Sequence, residues 1–332
     1  MKRRQLVAAG AASAPLGAMI SLGARAQARQ IKINTISAAN SPWAEAMKRF
    51  AELVEKESGG RLKVLVYTDG QLGDLQQTMA GMQLGTIEMA YLGLGVAVFL
   101  KGGEAMKLIY TPYLFNSKDQ ARRVLNSPEF LAIYDDVARK TNVRIFGAHG
   151  DRSPRAVQST KGPILRPEDL KGLRLRVPPA DIFSATFEAV GAQITPLGMT
   201  EIYTALARGI VDGQDNGFDL SIPLKFHEVA KHWSQTDHVY ELTGWYASER
   251  VWQGFSPADR TLLGRAAAEA GMLATQLMQK LDDDGIAILK AAGVNVVTPD
   301  REAFRKAMAD VPKRFEGKDW PAGMVERIRA MG

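Results

Sequence analysis

Between residues 31 and 92 the apolar pattern changes period four times. Residues 31–37 alternate apolar and polar, as a strand does. Ser41-Pro42 then supplies an N-cap with proline at the first helical position. Trp43, Met47, Phe50 and Val54 follow at i, i+4, i+7 and i+11, one face of a helix that stops at Gly59-Gly60. Residues 61–68 read as a second strand with Leu62, Val64 and Val66 on one side, residues 75–84 as a helix ending at Gly85, and residues 87–92 as a third strand. A β-α-β-α-β run of this kind opens a parallel sheet covered by helices. Ligands of such sheets bind outside the carboxyl ends of the strands.

A second unit follows. Residues 143–148 and 173–177 read as strands, 180–190 and 200–208 as helices, and 210–212 as the start of a further strand. Met82-Gln83-Leu84-Gly85-Thr86-Ile87-Glu88 rhymes with residues 205–212: each has a helix end, a glycine, then isoleucine and an acid. These are expected to be equivalent joints in two similar lobes. Ser256-Pro257-Ala258-Asp259 is a helix start, and the pattern behind it persists to about Ala292. A helix that long can run along both lobes as a strut.

Composition narrows the function. The 332 residues contain no cysteine, which removes disulfides, thiolate metal sites and a cysteine nucleophile. The net charge of +6 suggests an acidic partner such as nucleic acid, but four of the 42 basic residues (Lys2, Arg3, Arg4 and Arg25) lie in residues 1–28, which hold no acid. The remainder has 38 basic and 36 acidic residues, so no nucleic-acid partner is expected. Residues 1–28 read as a signal peptide, with Lys2-Arg3-Arg4, a mildly apolar run over residues 6–22, and Ala26-Gln27-Ala28 as a small-x-small cleavage pattern. Its paired arginines resemble a twin-arginine signal, with an ordinary secretory signal as the alternative. The mature chain then starts at Arg29, or two residues earlier if Ala24-Arg25-Ala26 is cut. Export to the periplasm is expected either way. The longest uncharged apolar run beyond the leader, residues 89–100, falls short of the ~20 residues a bilayer requires and reads as core.

No catalytic constellation stands out. The four histidines (His149, His227, His232 and His238) lack metal-ligand spacing, and HExxH, GxSxG and P-loop patterns are absent from the sequence. Gly93-Leu94-Gly95 lacks the third glycine of a nucleotide loop, and Asp282-Asp283-Asp284 reads as a solvated face of the long helix. No metal, cofactor or catalytic residue is expected. Arg176 is more pointed, because it lies at the end of a strand that must stop at Pro178-Pro179. A guanidinium there can hold a carboxylate by two parallel hydrogen bonds. The alternative is a strand whose Leu173, Leu175 and Val177 face the core while Arg174 and Arg176 face solvent. Arg155, in a polar loop after a strand, invites the same two readings. Gln214 and Asn216 offer amides beyond residues 210–212, or simply turn chemistry in Asp215-Asn216-Gly217.

Several segments together resemble one family. Residues 167–178, from Pro167-Glu168-Asp169-Leu170 to Arg176-Val177-Pro178, are similar to the hallmark of solute-binding proteins of tripartite ATP-independent periplasmic (TRAP) transporters. Residues 191–197, 201–206 and 211–216 continue the pattern in order, and Gln71-Leu72-Gly73, Pro112-Tyr113-Leu114-Phe115 and Phe226-His227-Glu228-Val229 also fit. The resemblance implies an α/β, bilobal periplasmic binding protein fold: two open βα sheets, crossing strands, a hinge and a long strut helix. Lobe I is expected over residues 29–150 plus about 238–270, and lobe II over 151–237 plus about 271–332. The resemblance also implies a monomeric, non-enzymatic protein that closes over an organic acid and delivers it to membrane-embedded permease subunits. A secreted enzyme or a sensory binding protein on the same scaffold is the alternative. Arg176 matches the arginine that pairs with the ligand carboxylate, Arg155 a second arginine and Asn216 a supporting asparagine. Two departures argue against carrying over C4-dicarboxylates or sialic acid as the ligand: Met199 stands where an aromatic is common, and Asp215-Asn216-Gly217 where Glu-Asn-Pro is common. Gln214, Met199, Phe218, Asp219, Trp245, Gln71 and Asn40 complete the expected ligand contacts, with Tyr246 and Glu241 as neighbours that can shape the site.

Overall fold

The computed structural model describes residues 27–331; the signal peptide read in residues 1–28 lies almost wholly outside them. Among the described residues, eleven strands form two sheets. The first takes β1 (Arg29–Asn34), β2 (Leu62–Tyr67), β3 (Met89–Gly93), β4 (Val143–Gly147) and β10 (Thr243–Ser248), in the order β2-β1-β3-β10-β4. The second takes β5 (Ala156–Ser159), β6 (Arg174–Val177), β7 (Gln193–Pro196), β8 (Gly213–Asn216), β9 (His232–Ser234) and β11 (Asn295–Val297), in the order β11-β9-β5-β8-β6-β7.

Read from β7, the second sheet repeats the first. In each, one strand runs antiparallel to both neighbours: β10 against β3 and β4, β5 against β8 and β9. These are the strands that enter just after the chain has crossed between lobes. The rhyming joints occupy equivalent places, since Gly85 and Gly209 both adopt left-handed backbone (φ 76° and 64°) ahead of β3 and β8. Two strand expectations shift. Residues 143–148 belong to the first sheet, through pairing with β10. The strand expected at Ile210–Asp212 starts at Gly213; Ile210 is half exposed, and Asp212 turns its carboxylate back onto Arg174 (Nη2–Oδ1 2.6 Å).

Helix α1 (Pro42–Glu57) starts where Ser41 Oγ accepts from Ala44 N–H. Helix α2 (Leu75–Leu84) opens on a capping box between Asp74 and Gln77. Each covers the first sheet with its apolar face. The strut helix, Pro257–Ala291, has 35 residues and so spans about 50 Å. Its first half is tied to lobe I by Asp259–Arg61 (2.8 Å) and Glu269–Arg49 (2.6 Å). Its second half meets the second sheet, where Gly285 lets Phe218 pack against the helix backbone. Asp282 departs from its expected solvated face: it bonds Lys118 and Ser153, while Asp283 and Asp284 stay exposed. Gly271 sits where a side chain would overlap His149, so the strut presses directly on the crossing segment. Among the described residues no helix is long and apolar enough to cross a membrane.

Candidate functional site

The carboxyl ends of β3, β6 and β8 and both crossing segments converge between the sheets. Two narrow adjoining chambers lie there. Leu75, Phe99 and Met199 line both. The larger is walled from lobe I by Ile36, Trp43, Gly93, Val96 and Tyr110, and from lobe II by Arg152, Arg155, Pro178, Phe183, Asn216 and Leu220. The smaller holds Arg176. The lobes meet across this cleft: buried Lys107 bonds Asp181 (2.9 Å) and Asp319 (2.8 Å).

Arg176 occupies the next-to-last position of β6 and is 1% exposed, so the solvent-facing alternative for this strand fails there and holds only for Arg174. Its Nε and Nη2 both donate to the Leu197 carbonyl (2.9 and 2.6 Å). Nη1 is buried without a partner. No carboxylate pairs with it among the described residues, and burial pulls this guanidinium down to about 9, against the pull of Asp215. The Nη1–Nη2 edge is thus the one left to receive an anion.

The other two guanidinium groups are already neutralised. Arg155 donates through Nε to Asp215 Oδ2 (2.7 Å) and through Nη2 to the Asp215 carbonyl (2.8 Å), and lies over the Phe183 ring. Arg152 takes Asp219 on Nε (2.7 Å) and Glu241 on Nη1 (2.5 Å), and lies over Trp43. Against burial, these two acids hold Arg152 above the ordinary arginine value. Burial pushes the Glu241 carboxyl up, outweighing Arg152 and Arg155. Asn216 donates to Gln214 Oε1 (2.6 Å), which fixes its amide and leaves Oδ1 without a partner.

Arg176, Arg155, Asn216 and Met199 are therefore brought together at the cleft, with Gln214 beneath Asn216 and Asp219 behind Arg152. The other expected contacts are not. Trp245 stacks between Tyr91 (4.0 Å) and Phe50 (4.6 Å) in the core of lobe I. Phe218 stacks on Trp233 (4.6 Å) beside the strut helix. The pleat of β10 turns Trp245 away from the cleft, whereas Phe218 opens a short helix, Phe218–Ser221, that sets its ring against Trp233 and the strut. Asn40 is exposed next to Lys280 and Asp284 of the strut, and Gln71 is exposed in the loop after β2. Tyr246 contributes indirectly, donating to the Gly93 carbonyl (3.1 Å) and so holding the chamber wall. Sequence reasoning missed Arg152, Trp43, Tyr110 and Phe183. Trp43 reads as an ordinary core position of α1, and Arg152 lies in a loop with no periodicity. Gly93 carried a faint signal: the absence of a Cβ there lets Arg152 and Glu241 approach the strand end.

Two repeated βα sheets, crossing strands and a closed cleft with one unpaired guanidinium define a two-lobed solute-binding protein. The profile described as "Bacterial extracellular solute-binding protein, family 7" matches residues 33–318. The chain belongs to this family, the solute-binding proteins of TRAP transporters. It is 32% identical over 305 residues to a solute-binding protein of Verminephrobacter eiseniae, covering 90% of this chain and 88% of that one. It is 30% identical to the sialic acid-binding periplasmic protein SiaP of Vibrio cholerae, covering 90% and 93%. The crystal structure of a TRAP periplasmic solute-binding protein from Polaromonas, bound to D-erythronate, superposes with a TM-score of 0.86 at 28% identity, covering 91% and 98%.

Proposed function

We propose that this chain is exported to the periplasm, captures a small organic acid between its lobes and delivers it to the membrane-embedded permease subunits of a TRAP transporter. Arg176 is the carboxylate anchor, with Arg155 and Asn216 beside it. The lobes divide at residues 29–150 plus about 238–270 and 151–237 plus about 271–332, and the protein acts as a monomer. It performs no chemistry: the acids around the cleft are held on guanidinium groups, an arrangement suited to binding. The observation that carries the reading is a buried arginine in the cleft with a free donor edge and no acid of its own. A bound carboxylate would supply the missing charge, and the lobes would close over it. The relatives' acidic ligands support the same class.

Melting curves with a panel of carboxylates check this. A ligand at ~100 times its Kd adds about 2.7 kcal/mol of stability, enough to raise the melting temperature by several degrees. At least one acid is expected to do so; a panel of dicarboxylates, sugar acids, keto acids and hydroxy acids that leaves the melting curve unmoved would contradict the proposal.

A further inference from the structure

Beyond Arg176, the larger chamber keeps a second set of polar atoms without partners. Arg152 Nη2 and Trp43 Nε1 are buried donors, and Glu241 Oε2 is a buried acceptor; none has a hydrogen-bond partner among the described residues. Trp43 and Arg152 both line the chamber, with the guanidinium 4.8 Å over the indole. The other Glu241 oxygen is shared between two arginines: Oε1 accepts from Arg152 Nη1 (2.5 Å) and lies 3.7 Å from Arg155 Nη1.

These groups meet over Gly93, which ends β3 in the chamber wall. A Cβ built on Gly93 would stand 3.0 Å from both Arg152 Nη1 and Glu241 Oε2, and 3.6 Å from the Tyr110 hydroxyl. Gly93 is outside the left-handed region, so its missing side chain serves space rather than a turn. What it leaves is a small cradle walled by Arg152, Glu241 and Tyr110. The cradle is held firmly. Arg152 and Glu241 sit side by side on the two crossing segments, where Arg152 N–H donates to the Glu241 carbonyl (3.3 Å) and Asp151 bridges Leu242. Asp219 fixes the guanidinium from its Nε side (2.7 Å).

A buried set that mixes donors with an acceptor is satisfied by a group that does both. A hydroxyl gives its hydrogen to Glu241 Oε2 and accepts from Arg152 Nη2 or Trp43 Nε1. A methylene leaves all three atoms unpaired, and a carboxylate brings no hydrogen for Oε2. Arg176 lines the adjoining chamber, so a hydroxyl in the cradle lies away from the carboxylate that Arg176 holds.

We propose that Arg152 and Glu241 form a second recognition point over Gly93, which reads a hydroxyl carried by the ligand away from its carboxylate. The acid taken by the cleft is then a hydroxylated one, and these two residues set that preference. This rests on Arg176 as the carboxylate anchor.

Titration calorimetry at neutral pH with two matched pairs, erythronate against butanoate and galactonate against hexanoate, tests the inference, with succinate as a fifth acid. Within at least one pair the hydroxylated acid is expected to bind at least ~100-fold more tightly than its plain counterpart, and more tightly than succinate. Gly93→Ala places a methyl in the cradle without changing any charge, so it should narrow that ratio by at least ~10-fold. Glu241→Gln replaces the free acceptor by an amide and should narrow the ratio in the same sense; it serves if the first variant does not fold. A smaller ratio in both pairs, succinate binding more tightly than both hydroxylated acids, or a ratio unmoved in the variants would overturn the hydroxyl reading and leave the anchor standing. So would failure of all five acids while another carboxylate of the wider panel raises the melting temperature. Failure of all five with an unmoved melting curve across that panel would overturn the anchor and the hydroxyl reading together.

Discussion

Arg176→Lys is expected to weaken binding of the most stabilising acid by about 10–100-fold, and Arg176→Ala by more than ~100-fold. Leu197 O already takes Nε–H and one Nη2 hydrogen, so the fork offered to a ligand is Nη1 and the rest of Nη2. Lysine keeps the charge and loses that planar pair, together with the Leu197 contact that aims it. Alanine leaves the ligand carboxylate buried and unpaired. The empty protein should not suffer. Its cleft arginine is a buried charge without a partner acid, which costs stability, so melting temperatures of both variants without ligand should stay level or rise. A structural arginine would show the opposite pattern, with lower melting temperatures and intact affinity. Calorimetric titration beside melting curves of the empty variants separates the two.

Gly150→Ala should be strongly destabilising. Gly150 lies on the first crossing segment at φ 104°, a region that L residues rarely adopt. A Cβ there would overlap the Tyr91 hydroxyl and Thr243 Oγ1, which bond each other (2.5 Å) and both bond the His149 carbonyl (3.0 Å each). Backbone strain and overpacking each contribute about 1–3 kcal/mol, so a loss of about 2–6 kcal/mol is expected in urea unfolding. Gly172 makes the control: its φ is 75° and a Cβ would meet nothing within 4 Å. Gly172→Ala should therefore cost only about 1 kcal/mol, from the backbone alone. Equal losses in the two variants would mean that the packing around the crossing segment is loose.

The elements that sequence resolved well share one property: their signal is local. The caps at Ser41 and Ser256, the glycine ends at Gly85 and Gly209 and the strut helix from 257 to 291 are each specified by residues a few positions apart. Arg176 was legible for the same reason, since Pro178 fixes where its strand stops. Trp245 and Phe218 were misplaced because aromatic character says nothing about which side of a strand or short helix a ring takes. Their facing depends on the partners Tyr91 and Trp233, 154 and 15 residues away respectively. Arg152 was invisible on the same grounds, because its acids, Asp219 and Glu241, come from distant segments and meet it only once the lobes are assembled. Asp282 shows the limit in reverse. Three consecutive aspartates read as surface, yet the helix turns one of them inward to Lys118 and Ser153.

The capture of a carboxylate on a guanidinium is tested most directly by one pair of titrations into the unmodified protein: the acid that raises the melting temperature most, and its primary amide. The two have nearly the same shape and differ in the charge that Arg176 would receive. The acid is expected to bind and the amide to bind at least ~100-fold more weakly, because the buried guanidinium would otherwise close over a neutral group. Equal affinities for the acid and its amide would show that the cleft does not hold its ligand by a carboxylate.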